Sequence, residues 1–227
     1  MLPVDLDNAM YVFQSSGPYT GQYRSYVNGV GNPLIALGQG FLVRPNTHNS
    51  AVSLTLTNAA RSADFGTAPS LNRQAGIRRP LIQLSLLQAA TGLGDETTVY
   101  FETGATQQVE ARFDAAKGPT GPAALASLGT VTPAGEKLAI NGLPMPTAVS
   151  SVALWAQVTQ PGNYVLAVAQ HIHLSGVACF LQDAQTGRSI RLGPQVTYPF
   201  QVTKADGLSN RFSIRFEPVK TLPVVSK

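Results

Sequence analysis

The sequence predicts an all-β fold, an antiparallel β-sandwich of jelly-roll or Ig-like type with room for two packed β units. Three observations predict it. Apolar and polar residues alternate at period two in segment after segment, which turns one strand face to a core and the other to water. The 21 Gly and 16 Pro interrupt the chain too often for a long helix. Charged residues make up only 12% of it, against about 25% in an ordinary soluble domain. Ser, Thr, Gln and Asn must therefore form much of the polar surface.

The first strand reads from Gly40 to Arg44. In residues 51–57, Val52, Leu54 and Leu56 share one face while Ser53, Thr55 and Thr57 share the other, so Leu54 and Leu56 are predicted core. Residues 62–79 read as a long irregular connection, uncommon inside one compact domain. That places a boundary between an N-terminal β unit, residues 1–75, and a β-sandwich, residues 76–218. Strands follow from Leu81 to Leu87 and from Thr97 to Thr103. Ala123 to Leu128, after Pro119 and Pro122, reads as one or two turns of helix.

Further strands run from Lys137 to Ile140, Val152 to Val158, Asn163 to Val168, Val177 to Gln182, Ser189 to Leu192 and Val196 to Val202. Turn chemistry separates them at Asn141-Gly142, Pro161-Gly162-Asn163, Thr186-Gly187 and Asp206-Gly207. Pro199 lacks a backbone donor, so its strand belongs at an edge or a bulge. Trp155 lies on the opposite face from Val152, Leu154 and Val158 and is expected partly exposed or under a loop. The clearest strand is Arg211 to Phe216, with Phe212, Ile214 and Phe216 inward and the two arginines toward water. Pro218 and Pro223 then mark residues 219–227 as a linker, whose deletion should move the melting temperature by no more than about 2 °C.

Composition excludes several functions. The net charge is +4, and no basic run exceeds Arg78-Arg79, so no nucleic-acid partner is expected. No stretch of about 18 apolar residues offers a membrane-spanning helix. Met1 to Asp5 lacks a basic segment followed by an apolar core, so a signal peptide is not in this chain, which is expected to be a mature or excised piece. One cysteine rules out an internal disulfide framework, and Cys179 alternates with Val177 and Leu181 on an apolar face.

Candidate chemistry is sparse, and neither a catalytic residue nor a cofactor is expected. No Gly-x-Ser-x-Gly elbow or phosphate-binding loop occurs. Glu96, Glu102, Glu110 and Asp114 form the one acidic concentration from which a pair of catalytic carboxylates could come. Glu102 shares a predicted strand face with Tyr100, which would suit sugar stacking, and Asp114 and Lys117 are close enough to pair locally. His171 and His173, two apart on a predicted strand, are the candidate metal ligands, with His48 or a carboxylate as the third. Against that stands an ordinary strand with Ile172 and Leu174 in the core. Tyr11, Tyr19, Tyr23 and Tyr26 would form a sugar-stacking platform or else bury their rings.

Several phrases occur in a fixed order. They are Tyr26 to Gly31, Ala36 to Arg44, Leu56 to Arg61, Asp95-Glu96 leading into Val99-Tyr100-Phe101, Gly104 to Thr106, Phe113 to Lys117, Leu138 to Pro144 and Arg211 to Phe216. Together they resemble the β-sandwich region of Bacteroidota surface and secreted proteins exported by the type IX secretion system. In those proteins this region lies just before the C-terminal sorting domain. The resemblance implies an extracellular or cell-surface location and carries no catalytic residues. The expected function is a non-catalytic spacer, stalk or adhesive unit, whose partners are surface glycans or neighbouring domains of the same polypeptide. The alternatives are a carbohydrate-binding module attached to an enzyme and a self-assembling shell or fibre subunit.

Overall fold

The alternating segments pair into two β-sheets in a computed structural model, which describes residues 6–17, 20–46, 52–61, 79–118, 124–208 and 210–219. The smaller sheet comprises β1 (Leu6–Gly17), β2 (Thr20–Val27), β3 (Val30–Gly31) and β4 (Phe41–Pro45), in the order β3-β2-β1-β4. Its β2–β3 hairpin turns at Asn28-Gly29, with φ of 49° and 78°. Those angles are what a two-residue turn demands and what Asn-Gly supplies most readily.

The larger sheet begins with β5 (Leu81–Gln88), β6 (Gly94–Phe101), β7 (Ala115–Ala116), β8 (Ala126–Val131) and β9 (Lys137–Leu143). It continues with β10 (Ser150–Val158), β11 (Gly162–Ile172), β12 (Val177–Asp183) and β13 (Arg188–Leu192). Last come β14 (Thr197–Val202), β15 (Asp206–Gly207) and β16 (Phe212–Pro218). Ten of these lie in the order β13-β12-β16-β10-β8-β9-β6-β5-β11-β14, while β15 pairs with β10 and β7 with β9.

This long sheet curls until its two ends meet. β14 and β16 are distant along the strand order, yet Phe200 packs edge-on to Phe212 at 5.0 Å, and Tyr198 donates its hydroxyl to Asp183 on β12 at 2.8 Å. The enclosed core includes Ile82, Leu86, Leu128, Leu154, Ile214 and Phe216, each at most 1% exposed. Burying a side chain of that size stabilises by about 1.5–3 kcal/mol. The smaller sheet covers the opposite face of β5, β6 and β9. There Ala9, Tyr11, Val27 and Val30 pack with Leu81, Tyr100, Phe113 and Ile140 in a second cluster. β5 and β6 are thus buried on both faces, which is why Leu81-Ile82 and Val99-Tyr100-Phe101 read as unbroken apolar runs.

The all-β sandwich arrangement stands, with several elements corrected. Residues 52–57 form no strand; Leu54 is half-buried and Leu56 is 65% exposed. Alternation allows an extended segment but supplies no partner, and neither residue joins either core cluster. The helix expected from 123 to 128 is instead β8, because Ala126 and Leu128 complete the core between β10 and β9; residues 119–123 lie outside the described ones. β6 and β9 pair in parallel, so the long sheet is not wholly antiparallel.

Two predicted turns are strand. Asp206-Gly207 forms β15, and Asn141-Gly142 lies buried in β9. Asn141 donates to Thr130 Oγ1 at 3.1 Å, and the Gly142 N–H donates to Asp114 Oδ1 at 2.7 Å. A Cβ on Gly142 would meet Phe113 Cβ and the Tyr100 hydroxyl at 2.9 Å, so close packing, not a turn, requires this glycine. The boundary expected at 75/76 lies outside the described residues, as do 62–78 and 220–227. Val219, at the start of the expected linker, donates its N–H to Gly176 O at 2.9 Å. Pro199 lies on β14, an end strand of the long sheet, as its missing donor requires. Trp155 is half-buried beneath Lys137, whose Nζ lies 4.0 Å from the ring centroid.

The two arginines of Arg211 to Phe216 do not simply face water. Arg211 lies 4.8 Å from the Phe200 ring and 4.7 Å from Phe212, while its guanidinium holds Asp183 through bonds of 3.1 and 2.9 Å. Arg215 covers Phe180 and pairs with Glu217. Long cationic stems cover aromatic faces while the charged ends find carboxylates. An alternating pattern cannot distinguish that arrangement from free solvation.

Candidate functional site

Where the two sheets meet, β2 on one side and β5–β6 on the other leave an open cleft of about 560 Å³. Its floor is apolar, with Leu81 and Ile140 drawn from the inter-sheet core. Tyr23, Leu87 and the exposed Leu93 supply apolar wall, while Gln83, Glu96 and Gln170 supply hydrogen-bonding groups. The β5–β6 hairpin must close tightly beside it, since a Cβ on Gly94 would lie 1.8 Å from Leu86 O.

Glu96 is the carboxylate that opens to the cleft. Gln83, diagonal to it across the strand pair, donates Nε2 to Glu96 Oε2 at 2.9 Å. The surrounding protein raises the Glu96 carboxyl above its ordinary value by desolvation; the Asp95 charge raises it further and Lys117 opposes. Asp95 itself faces inward. It accepts from Leu128 N at 2.7 Å, pairs with Lys117, and accepts from Glu96 N at 2.8 Å. Arg24, also on the cleft, donates to the carbonyls of Asn32 and Leu34.

The other members of the acidic concentration are drawn elsewhere. Glu102 pairs with Arg79 and accepts from Asn28 Nδ2 at 3.3 Å, and the Arg79 hydrogen bond holds its carboxyl below the ordinary value. Glu110 accepts from the Thr106 N–H at 2.7 Å and its hydroxyl at 3.0 Å. Asp114 accepts from the N–H groups of Glu110 and Gly142, both at 2.7 Å. Burial pushes Asp114 up to about 6, opposed by those two backbone bonds. The expected Asp114–Lys117 pair does not form, because Lys117 reaches Asp95 instead. Nor can Tyr100 stack on a sugar beside Glu102. It is fully buried, and its hydroxyl donates to Phe113 O at 2.8 Å.

The histidine pair loses its common strand face. β11 ends at Ile172, and His173 beyond it is exposed with φ of 52°, whereas His171 is half-buried opposite Ile82. His48 lies outside the described residues, among which no three His, Cys, Asp or Glu side chains converge as a metal site. Leu174 joins the main core and Ile172 packs against the second cluster. Of the four early tyrosines, Tyr19 lies outside the described residues. Tyr11 is buried between the sheets, Tyr23 packs edge-on to Phe13 at 5.3 Å, and Tyr26 is half-buried. They form no joint platform; Tyr23 alone among those described reaches the cleft. Cys179 is buried with Val177 and Leu181, and burial pushes its thiol up to about 12.

Sequence reasoning named Glu96 and Tyr23 but did not bring them together. Gln83 and Gln170 went unremarked, since an isolated glutamine on a strand carries no signature. The β2–β3 turn did carry one, in Asn28-Gly29, and would have placed β2.

No curated protein and no solved structure matches the chain. A family model described as a domain of unknown function, DUF8693, matches residues 6–216, which span both sheets. The chain belongs to that family.

Proposed function

We propose that this chain is a non-catalytic extracellular module, serving as a spacer, stalk or adhesive unit of a bacterial cell-surface or secreted protein. The observation that carries the reading is the use made of the carboxylates. Asp95, Glu102, Asp114 and Asp183 are each bonded to a backbone group or a cation from another part of the chain, and Glu110 is held by Thr106 within its own loop. Groups committed in this way position structure, which leaves Glu96 as the member of the acidic concentration that opens to a cleft. The resemblance to sandwich regions of type IX-exported proteins supports the location.

The test combines two measurements. Whole cells displaying the full-length protein are treated with a protease that does not enter them, and the isolated chain is assayed on ester, glycoside and peptide substrates. The reading expects loss of the module from intact cells and no turnover. Protection in intact cells would refute the location, and turnover abolished by a single carboxylate substitution would refute the non-catalytic role. The carbohydrate-binding alternative has one observation in its favour, the cleft beside Glu96.

A further inference from the structure

From the geometry of that cleft we infer a binding site for a neutral oligosaccharide, with Glu96 and Gln83 as its polar centre. The inference rests on the carbohydrate-binding form of the proposed function. A volume of about 560 Å³ lies within the range of pockets that enclose small ligands, roughly 300–1,000 Å³. The chemistry of the lining then selects the class. A sugar ring offers apolar C–H faces and rims of hydroxyls that both donate and accept.

The apolar surface is supplied by Tyr23, Leu87 and Leu93. The Gln83–Glu96 pair joins an amide, which can donate and accept, to a carboxylate whose second oxygen is available to hydroxyl donors. Gln170 adds a second amide on the same lining. An anionic ligand would meet the Glu96 charge, while Lys117 is paired to Asp95 and the Arg24 guanidinium on the lining is turned to the carbonyls of Asn32 and Leu34. A purely apolar ligand would leave the Gln83–Glu96 pair desolvated and short of partners. A neutral polyhydroxyl compound satisfies both kinds of surface.

The site also differs from the platform of exposed tyrosines that the sequence suggests. It is concave, it takes a single aromatic residue, and its central pair, Gln83 and Glu96, comes from adjacent strands paired in register. A rigid strand pair holds such groups in place more firmly than a loop does.

The test uses the whole chain with cellopentaose, laminaripentaose, mannopentaose and xylopentaose as neutral probes and trigalacturonate as the anionic control. Saturation-transfer NMR detects contact, and calorimetry gives the dissociation constant. The expected result is saturable binding of at least one neutral probe. Glu96→Ala and Gln83→Ala should each weaken it about tenfold or more, the loss of a hydrogen bond to a charged group. Both side chains are partly open to solvent, so melting temperatures should stay near the parent's. His173→Ala, exposed and off the cleft, should bind as the parent does. No saturation by any neutral probe, binding unmoved by both cleft substitutions, or preference for trigalacturonate would each overturn the proposal. Such a failure leaves surface display untouched, because display is read separately by proteolysis on cells.

Discussion

The interior of the curled sheet and the junction between the two sheets bury similar apolar residues but hold a buried aspartate in opposite ways. At the meeting ends of the long sheet, Asp183 receives two N–H groups from Arg211 and the Tyr198 hydroxyl, with Arg211 set between Phe200 and Phe212. Burial alone would raise this carboxyl, but those partners outweigh it and bring it down to about 2. At the junction Asp114 is nearly as buried and is held by backbone N–H groups, and burial pushes it up to about 6. A paired charge closes the long sheet. At the junction Glu96 remains open to the cleft.

The comparison is easiest to break at Asp183. Asp183→Ala leaves Arg211 buried against two aromatic rings without its partner, and should cost about 3–5 kcal/mol in urea unfolding. A cost under about 1 kcal/mol would show that the ends of the sheet are held by aromatic packing alone. The two carboxylates should also give pH dependences of opposite sign. Asp183 is depressed, so its contribution is present above the unfolded value near 4 and is lost as pH falls toward about 2. Asp114 is raised, so the folded chain takes up a proton first. Its contribution grows as pH falls from about 6 to about 4, on the order of 2–3 kcal/mol. Melting temperature followed against pH should show this rise in the parent and a flatter profile in Asp114→Asn.

Gly142→Ala sharpens the junction side. The added methyl meets Phe113 and Tyr100 in a packed layer and should cost about 1–3 kcal/mol, read by urea denaturation. If Gly142 were instead a turn glycine open to solvent, alanine would cost far less. The smallest effect concerns the outer surface of the long sheet. Lys137→Ala removes the cation over Trp155 and should cost about 0.5–1 kcal/mol, with a change in tryptophan fluorescence as an independent sign of the contact.

The long sheet was more legible than the junction for the same physical reason. A strand with one face in a core writes alternation into the sequence, which places Phe212, Ile214 and Phe216 by itself. β8 reads as helix because Ala124, Leu125, Ala126 and Leu128 are good helix formers, and the choice of strand depends on β9 and β10. Residues 52–57 show the converse, perfect alternation with no strand among the described residues to receive it. Asn141-Gly142 carried a turn signal that packing against Tyr100 and Phe113 overrode. The cleft draws Tyr23, Gln83 and Glu96 from three strands, and no local spacing joins them.

The division between paired and unpaired charge is tested most directly by following the side-chain carboxyl carbons of the folded, isotopically labelled protein across pH by NMR. The account predicts that Asp183 titrates near 2, Asp114 near 6, and Glu96 above the ordinary glutamate value. Addition of a neutral oligosaccharide should then move Glu96 while leaving Asp114 and Asp183 in place. Asp114 and Asp183 titrating together near the ordinary aspartate value would contradict the account.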